Sequence, residues 1–216
     1  FRKLLSVRIV LSNKTTLFVG ANNSGKTSAM LALRRFLVEK GKRFRAQDFT
    51  LSHWNAINEI GSKWEKSTDG ALPGITSKEW LPLLPAIDIW LTVEDGELHH
   101  VSALLPTLDW TGGLLGVRVR LEPVDIEALY REYRTAIHNV RSLRDAAAKE
   151  KLDRQDAKNP DEPLPLWPTN LTDFLSRNLA QHLAIRAYKL DPTKLASPQN
   201  GLAKPQVIAD DALPLE

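Results

Sequence analysis

Residues Gly20-Ala21-Asn22-Asn23-Ser24-Gly25-Lys26-Thr27 meet every fixed position of the pattern G-x-x-x-x-G-K-[ST], and nothing else in the chain limits its fold as tightly. The pattern holds a polyphosphate. Several N–H donors must converge on one anion, so the backbone has to curl. Gly20 and Gly25 permit the curl and leave no Cβ in the way. The helix expected from Lys26 aims its first N–H groups at the same anion. Lys26 adds a mobile cation, and the Thr27 hydroxyl is a hard oxygen ligand for Mg²⁺. The site read from the motif is therefore Gly20, Asn22, Asn23, Ser24, Gly25, Lys26, Thr27 and Ser28 for ATP, with Lys26 as the catalytic cation and Thr27 as the Mg²⁺ ligand.

Such a loop sits between a strand and a helix, and the flanks agree. Leu4–Leu11 alternates, with Leu5, Val7, Ile9 and Leu11 on one side; Ser12-Asn13-Lys14 is a polar break; Thr15–Val19 is β-branched and aromatic. The two runs predict a β-hairpin. After the loop, Met30, Leu33 and Leu37 share a helical face, and Lys40-Gly41 is a helix stop. Residues 42–85 hold Trp54, Trp64 and Trp80 among Gly, Ser, Pro and Thr, and read as an irregular insertion with one short helix. Ile87–Val93 is a strand, with Asp95-Gly96 as a hairpin turn and Leu98–Val101 as the return. Val117–Leu121 is a further strand. Val124–Arg154 is a long helix whose Ile126, Tyr130, Tyr133, Ile137 and Val140 form a seam near a 3.5-residue repeat. Residues 158–170 form a proline-rich linker, Asn170 caps a helix carrying Leu171, Phe174, Leu175, Leu179 and Leu183, and 184–190 is a strand.

Together these predict an α/β P-loop NTPase with a mixed β-sheet, an N-terminal β-hairpin and an appended helical arm. Residues 1–122 form the ATPase lobe, 123–183 the arm or dimerisation segment, and 184–216 a strand and tail returning to the lobe. Composition excludes other classes. Cysteine is absent, which removes disulfides and thiolate metal sites. No apolar run reaches 18 residues, so no membrane span is expected. Phe1-Arg2-Lys3 opens no secretory leader, and the chain reads as cytoplasmic. A net charge of +3 permits nucleic-acid contact without arguing for it.

The hairpin followed by Leu17-Phe18-Val19-Gly20-Ala21-Asn22-Asn23-Ser24-Gly25-Lys26-Thr27-Ser28 resembles the N-terminal lobe of the ABC-type DNA-maintenance ATPases, the SMC, RecF and OLD (overcoming lysogenisation defect) groups. It is most similar to OLD. The likeness spans about Leu4–Leu190, and Gly20–Ser28 is its sharp part. It implies ATP sandwiched between head-to-tail subunits, a homodimer or higher homo-oligomer. It also implies action on double-stranded DNA, and a Toprim nuclease, in a separate domain or partner protein, serving in defence against phage. A RecF- or SMC-like repair ATPase, and a nucleotide-dependent assembly module that does not hydrolyse, stay open beside it. The family's signature helix, Walker B Asp-Glu and switch histidine have no counterpart here. Ile89–Asp95 imitates a Walker B strand, but Thr92 interrupts it and Asp95-Gly96 reads as a turn; Val207–Asp211 is too short.

Weaker candidates remain. Gln47 and Asp48 follow the P-loop helix and could approach Mg²⁺ or the attacking water. His99-His100 on a strand would face opposite sides and could not share an ion. Arg131, Arg134, Arg141, Arg144, Lys149 and Arg154 put cations on the long helix, interleaved with Glu127, Glu132, Asp145, Glu150 and Asp153. Mixed charge of this kind reads as a solvated face before it reads as a DNA surface.

Overall fold

The computed structural model describes residues 1–67, 77–105, 110, 112–153, 165–191 and 212–215. The chain forms two compact units. One comprises Phe1–Leu51, Leu84–Glu122 and Ala184–Glu216, the other Ser52–Leu83 and Pro123–Leu183.

The first unit carries the phosphate loop. Helix α1 spans Lys26–Leu33 and continues as a π-turn over Arg34–Val38, where Glu39 N–H reaches the Arg34 carbonyl at 2.9 Å. The extra residue in that turn shifts the buried face. Ala29 and Phe36 are buried, whereas Met30 and Leu37 are 58% and 45% exposed, so the Met30–Leu33–Leu37 stripe is not the packed face. Phe36 meets Phe44 edge-on at 4.9 Å. Gly41 ends the element as expected. Its φ is +76°, and a Cβ there would lie 2.7 Å from Ile185 Cγ2.

The expected N-terminal β-hairpin is absent. Residues 5–19 form no strand. Their turn is held by hydroxyls: Ser12 N–H donates to Thr16 Oγ1 at 2.9 Å and Thr15 N–H to Ser12 Oγ at 3.1 Å. Such side-chain bonds replace ladder bonds. No described element covers the apolar side chains, and Leu5, Leu17 and Val19 are 73%, 81% and 80% exposed.

The sheet contains β1 (Ala86–Thr92), β2 (Leu114–Pro123) and β3 (Leu183–Leu190), in the order β1-β2-β3. It is small and antiparallel rather than mixed, with Ala86 opposite Arg120 and Thr92 opposite Leu114. Of the expected return strand at Leu98–Val101, Leu98–His100 belong instead to a 3₁₀ segment, Asp95–His100, and Val101 follows it. β2 offers β1 a seven-residue ladder, and the four residues of that return could not compete. β2 alternates two kinds of burial. Leu115, Val117 and Leu121 supply apolar core. The opposite face is filled by self-paired charge: Arg118 forks onto Asp88 at 2.6 and 2.7 Å, and Glu122 takes bonds from Arg120 at 2.6 Å and from the Tyr188 hydroxyl at 2.8 Å. Burial, and then the bond to Glu122, raises the Tyr188 pKa. Trp90 lies over Gly116, where a Cβ would come within 2.3 Å of the indole.

The second unit is helical. Helix α2 spans Leu51–Lys66, where irregular chain with one short helix was expected. Helix α3 spans Ile126–Asp153 and α4 Leu171–His182. Asp125 caps α3 through Oδ1, bonded to the N–H groups of Glu127 and Ala128 at 2.9 Å each. Asn170 caps α4 by accepting from Asp173 N–H at 2.8 Å, as its residue type predicts. The α3 seam is buried at Tyr130, Tyr133, Ile137 and Val140. Trp64 packs edge-on against Tyr130 at 5.5 Å and beside Trp80 at 5.6 Å. The Tyr133 hydroxyl donates to Glu65, which also pairs with Arg141; burial first, then this bond, pushes the Tyr133 pKa up. The expected linker at 158–170 falls partly, and Arg154 and Val207–Asp211 wholly, outside the described residues.

Candidate functional site

Gly20–Gly25 folds as a tight loop onto the start of α1. Two residues take left-handed backbone, Asn23 at φ 68° and Gly25 at φ 93°. That curl turns the chain into the helix at Lys26, as the motif requires. A Cβ on Gly25 would meet Leu4 Cδ2 at 3.0 Å, and one on Gly20 would meet Ser24 Oγ at 3.0 Å. Gly25 is therefore required by its φ, while at Gly20 a Cβ would only crowd the Ser24 hydroxyl.

The loop turns acceptors toward one cation. The Lys26 ammonium donates to the Gly20 and Ala21 carbonyls, each at 2.6 Å, and to Ser24 Oγ at 3.3 Å. Ser24 N–H reaches the Ala21 carbonyl at 3.3 Å, and Ala29 N–H the Gly25 carbonyl at 2.9 Å. Helix α1 has no side-chain cap. Among the described residues no protein acceptor takes the N–H groups of Asn22, Asn23, Gly25, Lys26 or Thr27. Orphan donors at a helix start, with an ammonium on the same loop, match the demands of a phosphate. Ser24 and Thr27 are exposed and Ser28 is half-buried. The donor set fits a nucleoside triphosphate, and the exposed Thr27 hydroxyl in the first turn of α1 fits a hard cation carried with it.

The other sequence candidates separate from this site. Asp48 is 0% exposed. It takes Arg2 Nε at 2.8 Å, Arg35 Nε at 3.3 Å and the Arg45 N–H at 3.1 Å. Arg2 Nη2 lies 2.7 Å from the same carboxylate, so Asp48 is buried among cations and N–H donors and holds the fold, apart from the loop. His99 and His100 lie in the 3₁₀ segment, not on a strand, with ring centroids 3.9 Å apart. Among the described residues no group of three or more His, Asp or Glu could hold a metal. On α3, Arg131 pairs with Glu127 at 2.8 Å and Arg141 with Glu65, as a solvated mixed face would. An apolar cavity of about 520 Å³ is lined by Ile89, Leu91, Leu104, Val117 and Ala187, and none of the motif residues borders it. No described helix is long and apolar enough to cross a membrane.

A family model described as AAA ATPase domain matches residues 1–183. No curated protein and no solved structure gives a match.

Proposed function

The chain belongs to the AAA ATPase domain family, and from that premise we propose that it is the ATP-binding and hydrolysing lobe of an OLD-like ATP-dependent DNA endonuclease. ATP gates the dimer state and the access of double-stranded DNA to a nuclease outside these 216 residues, in defence against phage. The observation that carries the ATP reading is the loop itself, with the Lys26 ammonium at 2.6 Å from two loop carbonyls and with backbone N–H groups that have no protein acceptor among the described residues. The OLD reading is supported by the motif's wording, Gly-Ala-Asn-Asn-Ser-Gly-Lys-Thr at 20–27.

Each residue has a role. The N–H groups of Asn22, Asn23, Gly25, Lys26 and Thr27 orient the phosphates, and Lys26 exchanges its carbonyl partners for phosphate oxygens, which are the stronger acceptors. Thr27 would hold Mg²⁺, whose charge, when bound, neutralises the β and γ oxygens. Lys26→Ala is expected to weaken ATP binding by about a hundredfold or more, the worth of two charge-assisted bonds. Titration calorimetry on the folded variant reads it, and undiminished affinity would sink the site. Separately, the full-length protein should cut duplex DNA in an ATP-dependent way. ATP-driven dimerisation without cutting removes the endonuclease reading and keeps the ATPase.

A further inference from the structure

The phosphate cradle has a cation beside it that the motif does not contain. Phe1–Leu4 makes a turn, with Leu4 N–H on the Phe1 carbonyl at 2.9 Å and Arg2 at φ 52°. Two anchors fix that turn in the first unit. The Phe1 ring packs against Phe36 and Phe44 at 6.5 and 6.1 Å. Arg2 bonds the buried Asp48 carboxylate through Nε at 2.8 Å and the Asp48 carbonyl through its N–H at 2.9 Å. On the other side of the turn Leu4 Cδ2 sits beside Gly25 of the loop, 3.0 Å from where a Cβ would stand. The residue between these anchors, Lys3, is exposed, and its ammonium donates to Asn23 Oδ1.

The two neighbouring cations thus divide their work. Arg2 is committed to a buried carboxylate. Lys3 has a neutral amide as its acceptor, as Lys26 has neutral carbonyls and a hydroxyl, and neither lysine forms an ion pair among the described residues. A neutral amide oxygen is a weaker acceptor for an ammonium than an anionic phosphate oxygen. We propose that Lys3 is a second phosphate-binding cation, which exchanges Asn23 Oδ1 for a phosphate oxygen when nucleotide occupies the loop. The inference rests on the P-loop reading above and adds to it a residue outside the motif. The Coulomb attraction grows with ligand charge, so Lys3 favours ATP over ADP and ADP over AMP.

The test compares Lys3→Met, which keeps the apolar stem, with Lys3→Arg, which keeps the charge. Affinities for ATP, ADP and AMP are measured at fixed salt, with Lys26→Ala as reference. Lys3→Met is expected to weaken ATP about tenfold, the worth of one charge-assisted bond, and to weaken AMP little, while Lys3→Arg stays near the parent. In an Asn23→Ala background Lys3→Met should weaken ATP again, because the cation acts on the ligand and not through Asn23. Lys3→Met binding ATP within about twofold of the parent, beside a disabled Lys26→Ala, overturns the role of Lys3 and leaves the P-loop standing. So does equal weakening of ATP and AMP, or no effect in the Asn23→Ala background. If Lys26→Ala binds ATP like the parent, both readings fall together.

Discussion

Asp48→Asn is the perturbation whose size the structure sets most directly. The carboxylate is fully buried, and its two oxygens take Arg2 Nε at 2.8 Å, Arg2 Nη2 at 2.7 Å, Arg35 Nε at 3.3 Å and the Arg45 N–H at 3.1 Å. Four donors fill the four lone-pair sites of a carboxylate. An amide keeps one oxygen and turns an NH₂ toward the remaining donors, so about two charge-assisted bonds are lost, at about 1.5 to 3 kcal/mol each. Arg35 is only 12% exposed and Arg2 26%, so water recovers little of that. The expected loss is about 4 kcal/mol, within the range for breaking a buried pair, against a total stability of about 5 to 15 kcal/mol. With a urea m-value of about 2 kcal/mol/M, the midpoint should fall by about 2 M. Urea unfolding followed by backbone circular dichroism measures it. A fall of less than about 0.5 M, at unchanged m, would refute the claim that Asp48 ties Arg2 and Arg35 to the fold.

Two further outcomes follow from packing and burial. Gly116→Ala drives a Cβ into the Trp90 indole, at 2.3 Å from the nearest ring atom; the indole or the strand beneath it must shift, at about 2 kcal/mol, and a lowered melting temperature with unmoved Trp emission would count against that contact. His182 is 3% exposed, with Nε2 3.3 Å from Glu132 Oε2 but not hydrogen-bonded to it. Burial lowers its pKa below the usual 6.5, and Glu132 opposes that only in part. The unfolded chain then binds more protons than the folded one as pH drops below about 6.5, so the stability this group contributes is full above that pH and is lost as pH falls toward the folded pKa. Unfolding midpoints at about pH 7.5 and 5.5 should differ less in His182→Gln than in the parent, and equal pH dependence would reject the assignment.

What could be read from the residues tracks how local the physics is. The loop and the start of α1 at Lys26 follow from eight consecutive residues, because a phosphate cradle is built by backbone curl alone. The caps at Asp125 and Asn170 act within three residues, and Asn170 was legible for that reason. The α3 seam was legible because Tyr130, Tyr133, Ile137 and Val140 repeat through two heptads. Helix α2 was not. Trp54, Ile57, Ile60 and Trp64 keep helical spacing, but Ser, Asn and Gly61 lie between them, and the use of Gly61 is tertiary: a Cβ there would lie 2.7 Å from Leu171 Cβ. The partner of β1 was missed for a similar cause. Asp95-Gly96 promised a near return strand, whereas the ladder reaches across to β2. Asp48 as an Arg2–Arg35 clamp, and Lys3 beside the loop, carry no sequence signal, since they depend on residues 13 to 46 positions apart.

Helix α3 has two halves with different reasons to exist. At about 1.5 Å per residue its 28 residues run about 42 Å. Among the side chains described, the last buried one is Val140; from Arg141 to Lys149 all are exposed except half-buried Ala147. A stretch that short is marginal as an isolated helix in water, so the far half stays wound only because it inherits a finished nucleus from the packed half. Its amides should therefore lose protection in sequence from Lys149 back toward Val140, making the rod a zipper that opens toward Val140 while the Tyr130–Tyr133 seam stays shut.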